Sequence, residues 1–165
     1  MTKALIACGL DESDIGIISP YRSQLRLLES KLKSYPQVEV LTMDRFQGRD
    51  KKCCILSFVR SNTNLYVGDL IRDWRRINVA FTRAKNKLLM VGSKSTLESC
   101  NLFKDLITLC ESRDWVYDLP LNAQSMHHFQ ENSSRSPVLE SKTATPRLFK
   151  KTSVASNIVN EHGGR

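Results

Sequence analysis

Residues 1–120 of this 165-residue chain contain no histidine; His127, His128 and His162 all come later. A Ser-His or Cys-His nucleophile and most zinc chemistry are therefore excluded from those 120 residues. Cysteine is sparse and odd in number (Cys8, Cys53, Cys54, Cys100, Cys110), with no CxxC spacing, which reads as reduced thiols of an intracellular protein. No apolar run approaches the roughly 20 residues of a membrane-spanning helix. The opening MTKALIACGL is too short and too weakly basic for a secretory signal. A phosphate-binding G-x-x-x-x-G-K-[ST] loop is also missing. The nearest stretch, VGSKST (91–96), has one glycine with Lys94 two residues beyond it, too little loop to wrap a triphosphate. It reads as an ordinary strand-to-helix turn, or as a helix start able to hold an anion.

What is present is the composition of an ordinary globular protein, 41% hydrophobic and 25% charged. Collagen, coiled coil and a wholly disordered chain are excluded, and the length suits one domain with a tail. The net charge is +8, with 19 basic and 14 acidic residues in 1–120 and six and three in 121–165. Such an excess suits a polyanionic partner, or simply a solvated basic surface. Residues 121–165 carry seven Ser, three Thr, Pro137 and Pro146 without an apolar period, and are predicted to be a disordered tail. RLFKK (147–151) within it reads as a nuclear import signal, an anionic contact or a solvated patch.

The first 120 residues alternate between two periods. Apolar runs predict strands over 15–19, 38–43, 53–59, 87–92 and 115–117. Tyr21, Leu25, Leu28 and Leu32 recur at helical spacing; 73–85 reads as a helix, and 95–112 as another with Leu102, Leu106 and Leu109 inward. Strands separated by such helices predict an α/β fold, a parallel sheet with helices on both faces. Residues 2–9 read like the last turns of a helix with nothing before them to cover the sheet edge. The expectation is a piece of a larger protein, or a shortened gene product.

Three segments carry chemistry. IGIISPYRSQ (15–24) delivers Ser-Pro-Tyr to the carboxyl edge of the sheet, where α/β proteins place ligands. VLTMDRFQGRDKKCCILSFVRS (40–61) holds a loop between buried strands: Gly48 allows close backbone approach, Gln47 both donates and accepts, and Asp50 can accept from a ribose hydroxyl. In DWRRINVAFTRAKNKLLMVGS (73–93), Arg76 and Arg83 are seven apart and can share a helix face. A planar guanidinium suits charge developing on a transferred phosphoryl group. Taken singly, these are also a strand-end turn, a glycine turn and a solvated basic helix.

Together and in this order they resemble motifs IV, V and VI of the second RecA-like domain of superfamily 1 helicases, over roughly residues 2–120. TMDRFQGRDK paired with DWRRINVAFTRAKNKLLMVG is the specific signature. The branch is the 5′-to-3′ group that includes the nonsense-mediated-decay RNA helicases. SFVRSN (57–62), VGDLIRDWRRINVAFTRAK (67–85) and WVYDLP (115–120) are similar to the carboxyl end of the DNA replication ATP-dependent helicase/nuclease family. The resemblance implies a RecA-like (P-loop NTPase-type) sheet, truncated at its amino end, over 1–120. It implies Arg83 as the arginine finger, and Arg76 as a second phosphate or motif-ordering contact. Gln47, Gly48 and Asp50 would face the ribose and phosphates of ATP, although Asp50 stands where many relatives carry Glu. Ser19, Pro20, Tyr21 and Thr42 would line a single-strand track.

By the same resemblance, the parent would use ATP with magnesium on single-stranded, flap or forked DNA in replication and repair. Its location would be the nucleus, with the mitochondrion as a second compartment. The sequence holds no Walker A loop, Walker B pair, nuclease module or iron–sulfur ligand set. The expected partner is thus the first RecA-like domain, any iron–sulfur cluster belongs elsewhere in such a parent, and this chain alone is expected to be inactive. Two other readings remain open: an RNA helicase of the decay branch, and a nucleic-acid-binding module without motor activity.

Overall fold

A computed structural model describes residues 1–120 and residue 123. The tail predicted to be disordered, with RLFKK inside it, otherwise lies outside the described residues. Four strands, β1 (Ile15–Ile18), β2 (Glu39–Leu41), β3 (Lys51–Ser57) and β4 (Ala84–Val91), form one sheet in the order β2-β1-β3-β4. All neighbours are parallel, with Gly16 opposite Glu39 on one side and Cys54 on the other, and Leu56 opposite Met90. Every residue of β1 is buried, as are Cys53, Cys54, Ile55 and Leu56. An interior parallel strand covered on both faces needs such an unbroken apolar run.

The alternation of side chains divides the core in two. On one face, Ile15, Ile17 and Ile55 meet Leu5 and Ile6 of α1 (Thr2–Ala7), Leu28 of α2 (Arg22–Lys31), and Leu32 just past it. On the other, Ile18, Cys54 and Leu56 meet Ile77 and Ala80 of α4 (Trp74–Phe81) and Phe103 of α6 (Asn101–Ser112). The edge of the Phe103 ring contact to Phe58 is 5.0 Å between centroids, which ties α6 to the chain leaving β3. Single turns, α3 (Asp69–Arg72) and α5 (Lys94–Leu97), precede α4 and α6. The α/β architecture expected from the sequence, a parallel sheet with helices on both faces, is the one observed.

Three elements differ from expectation. Residues 115–117 are not a strand: Asp114 takes a left-handed φ of 59° and the Trp115 amide closes onto the Cys110 carbonyl at 2.9 Å. That cap turns the chain away from the sheet, leaving Trp115 62% and Tyr117 88% exposed. The helix expected over 95–112 is two, because Cys100 takes an extended conformation between α5 and α6. Lys94, the lysine of VGSKST, is bound to Glu98 and Glu111 and so clips the two helices together. Phe103 (1% exposed), not Leu109 (37%), leads the buried stripe of α6. Finally, the helix expected to reach residue 85 stops at Phe81, since the Thr82 hydroxyl donates back to the Asn78 carbonyl at 2.9 Å and β4 begins at Ala84.

The link from β2 to β3 positions the site. Parallel pairing forces residues 42–50 to return from the carboxyl end of β2 to the amino end of β3. A 3₁₀ turn, Asp44–Phe46, inserts the fully buried Phe46 ring over Gly16 of β1. A Cβ on Gly16 would lie 2.3 Å from Phe46 Cζ, so the absence of a side chain there is what seats the crossover.

Candidate functional site

Because every strand runs the same way, the sheet has an amino edge and a carboxyl edge, and the candidate residues divide between them. β3 has seven residues, which separates the two edges by roughly 20 Å.

Asp50 immediately precedes β3 and Arg83 immediately precedes β4, so both sit at the amino edge. The Lys51 amide donates to the Arg83 carbonyl at 3.0 Å, bringing the two joints side by side. Arg83 Nη1 then donates to Asp50 Oδ1 at 2.9 Å, Nε to the Val79 carbonyl at 3.0 Å and Nη2 to Thr82 Oγ1 at 3.1 Å. Among the described residues three of its five N–H groups are engaged, which leaves two for a ligand. The Arg83 side chain is 21% exposed and Asp50 46%, so this ion pair contributes at most about 1 kcal/mol of stability.

Arg76 does not share a helix face with Arg83 in the expected way, since Arg83 lies beyond the end of α4. Arg76 Nε instead faces Asp44 Oδ1 at 3.3 Å and Asp73 Oδ2 at 3.7 Å. Asp73 also caps α4, accepting from the Arg75 amide at 3.1 Å. Arg76 lines a cleft of about 120 Å³ with Met43, Asp44, Gln47, Arg75 and Val79, and Arg83 reaches that group of residues through its bond to the Val79 carbonyl. That is below the roughly 300–1,000 Å³ of a full small-molecule pocket. This surface can take one side of a ligand, not enclose it. Gly48 has a φ of +76° with open space where a Cβ would be, so the turn needs glycine and leaves its backbone approachable. Asp50 and Arg83 are thus joined at the amino edge, whereas Gln47 and Arg76 share the cleft beside Asp44.

Ser19, Pro20 and Tyr21 follow β1, and Thr42 follows β2, at the opposite, carboxyl edge. Ser19 is completely buried and its hydroxyl donates to the Ser57 carbonyl at 3.0 Å, tying β1 to β3; this hydroxyl faces the protein rather than solvent. Tyr21 is half-buried, with its hydroxyl donating to the Val67 carbonyl at 3.4 Å and accepting from Arg60 Nε at 2.6 Å. Thr42 borders a cleft of about 200 Å³ with Arg22, Arg26 and Arg45. Sequence reasoning passed over these three arginines. Arg22 and Arg26 stand four apart at the start of α2, a spacing that could have revealed them, whereas Arg45 reaches the cleft only through the crossover.

Among the described residues no three His, Cys, Asp or Glu side chains are grouped so as to hold a metal ion. All five cysteines are free, and burial pushes the Cys54 thiol up to about 11.

The AAA domain family matches residues 1–95. The DNA replication ATP-dependent helicase/nuclease of Schizosaccharomyces pombe is 50% identical over 126 residues, covering 76% of this chain and 9% of that protein. The enzyme of the same name from Xenopus tropicalis is 48% identical over 125 residues, covering 74% and 12%, and that of Homo sapiens 45% over 121, covering 73% and 11%. The chain spans about a tenth of the length of these curated relatives. The matched family, the parallel sheet and this identity agree: the chain belongs to the AAA domain family, as the carboxyl-terminal, second RecA-like domain of a superfamily 1 helicase.

Proposed function

We propose that this chain supplies the ATP-completing half of a 5′-to-3′ DNA helicase/nuclease motor of DNA replication and repair, working in the nucleus. The observation that carries the reading is Arg83: a guanidinium fixed by Val79, Asp50 and Thr82 at the amino edge, with two N–H groups left over among the described residues. A cation so held costs little reorganisation when charge spreads over the γ-phosphoryl oxygens, which is the work of an arginine finger. Arg76 and Gln47, which line the cleft with Val79, supply further donors, and the Gly48 backbone lets the phosphates approach. Asp50 orients Arg83 with one oxygen and offers the other to the ribose. The partner is a first RecA-like domain, which contributes the Walker loops and the metal ligands. Without it the chain hydrolyses no ATP, unwinds nothing and cuts nothing.

At the opposite edge, Pro20, Tyr21 and Thr42 line the single-strand track, braced from beneath by Ser19. Phosphate and sugar contacts of this kind position a strand without reading its sequence. The test uses an enzyme carrying this chain together with the first RecA-like domain. Arg83→Ala is expected to lower ATP turnover on the order of 10³-fold or more, while nucleotide-free binding to single-stranded DNA stays near normal. Stronger stimulation of the unmodified enzyme by single-stranded RNA than by DNA would instead assign it to the decay branch.

A further inference from the structure

SFVRSN at the end of β3 takes no part in the nucleotide cleft, yet its Arg60 is held by two aromatic rings and a tyrosine hydroxyl. Arg60 is half-buried, and its guanidinium lies 5.2 Å from the centroid of Tyr21 and 5.2 Å from that of Tyr66. Its Nε donates to the Tyr21 hydroxyl at 2.6 Å. Gly68, at a φ of +87°, makes this approach possible: a Cβ there would fall 2.6 Å from the Tyr21 oxygen and 3.0 Å from Arg60 Nε. Val59 and Leu65, on either side of Arg60 in sequence, take left-handed φ values of 66° and 53°. Such conformations cost free energy for non-glycine residues and persist where the surroundings impose them.

Among the described residues no carboxylate bonds directly to this guanidinium. Arg72 also stacks on Tyr66, at 5.4 Å, and among the described residues neither Arg60 nor Arg72 forms an ion pair. The neighbouring carboxylate, Asp69, accepts from the Tyr66 hydroxyl at 2.7 Å instead. Among the described residues, the four Nη–H donors of Arg60 therefore have no acceptor. A cation oriented by neutral groups gives up no partner when an anion arrives, and its side-chain entropy is already lost. The location is equally specific. Arg60 is three residues past the end of β3 and touches Tyr21, three past the end of β1, so it stands on the carboxyl edge.

We infer that Arg60, with Arg72 beside it, is a seat for a backbone phosphate of single-stranded nucleic acid. The inference rests on the strand-track reading and extends that track along the carboxyl edge to the end of β3. The planar fork of Arg60 suits bidentate contact to a phosphodiester, and the tyrosines hold its plane.

The test measures binding of the full 165-residue chain to oligothymidylate and to oligouridylate, without nucleotide, across a salt series. A thermal melt accompanies each variant. Arg60→Met is expected to weaken binding about tenfold and to lower the slope of log K against log salt by about 0.7, one phosphate contact on a single strand. Arg60→Lys should restore the slope but not the affinity. Asp69→Asn removes the negative charge bonded to Tyr66 and should tighten binding a few-fold; this surface change keeps the inference testable if Arg60→Met does not fold, and unchanged affinity would overturn it. Equal losses on both oligomers are expected of a phosphate contact, whereas a loss confined to one means sugar or base recognition and overturns it. If the unmodified chain binds while Arg60→Met keeps affinity and slope, the seat is wrong and the track stands. If the unmodified chain shows no salt-dependent binding, the track reading fails and the seat with it.

Discussion

Arg83 and Arg60 are both guanidiniums with Nε engaged, but their surroundings give them different tasks. Among the described residues Arg83 has a carboxylate at 2.9 Å and two donors to spare, whereas Arg60 is held by the Tyr21 hydroxyl and two aromatic rings and has four. The proposed finger should therefore depend on shape as well as charge. Arg83→Lys is expected to recover little of the turnover lost in Arg83→Ala, because an ammonium cannot reach Val79, Asp50 and a phosphoryl oxygen from one plane. Single-turnover ATP hydrolysis checks this; full activity in the lysine variant would mean that charge alone suffices. Cys54 gives a second expectation. Burial raises its thiol from 9.0 to about 11, so between those values the folded chain holds a proton that the unfolded chain releases. The sign follows: the contribution is complete below about pH 9 and is lost as pH rises through about 11, on the order of 2–3 kcal/mol. Urea midpoints at pH 8 and 10.5 should show the fall, and Cys54→Ser should flatten it.

At the scale of elements, the return from β2 to β3 links packing to function. Gly16→Ala drives a methyl into the Phe46 ring, which should destabilise the chain by about 1–3 kcal/mol. Shortening the ring with Phe46→Leu in the same chain should make the two effects non-additive, as urea unfolding of the double variant would reveal. The interior strands were legible in the sequence because β1 and residues 53–56 of β3 form unbroken apolar runs, and α2 was legible from Leu25, Leu28 and Leu32. Element ends were not. A hydroxyl bonding back from Thr82 stopped α4, an extended Cys100 divided the last helix, and a left-handed Asp114 removed the strand expected at 115–117. Each is a local backbone event that apolar periodicity does not encode. The candidate residues were legible by type, yet which edge each occupies depends on the direction of the crossover, and Ser19 turned inward because β3 offered it a carbonyl.

For the whole molecule, the central proposition is that one sheet serves two ligands from opposite edges, nucleotide at Asp50 and Arg83 and strand at Tyr21 and Thr42. Separate edges allow separate losses. In an enzyme that carries both RecA-like domains, the most direct measurement is ATP turnover at saturating single-stranded DNA, comparing Arg83→Ala with Thr42→Ala. Saturation removes a pure binding defect, so Thr42→Ala should run within a few-fold of the unmodified enzyme, while Arg83→Ala should fall on the order of 10³-fold or more. Arg83→Ala turning over within a few-fold of the unmodified enzyme would contradict the assignment of the amino edge to the nucleotide, and the proposed function with it.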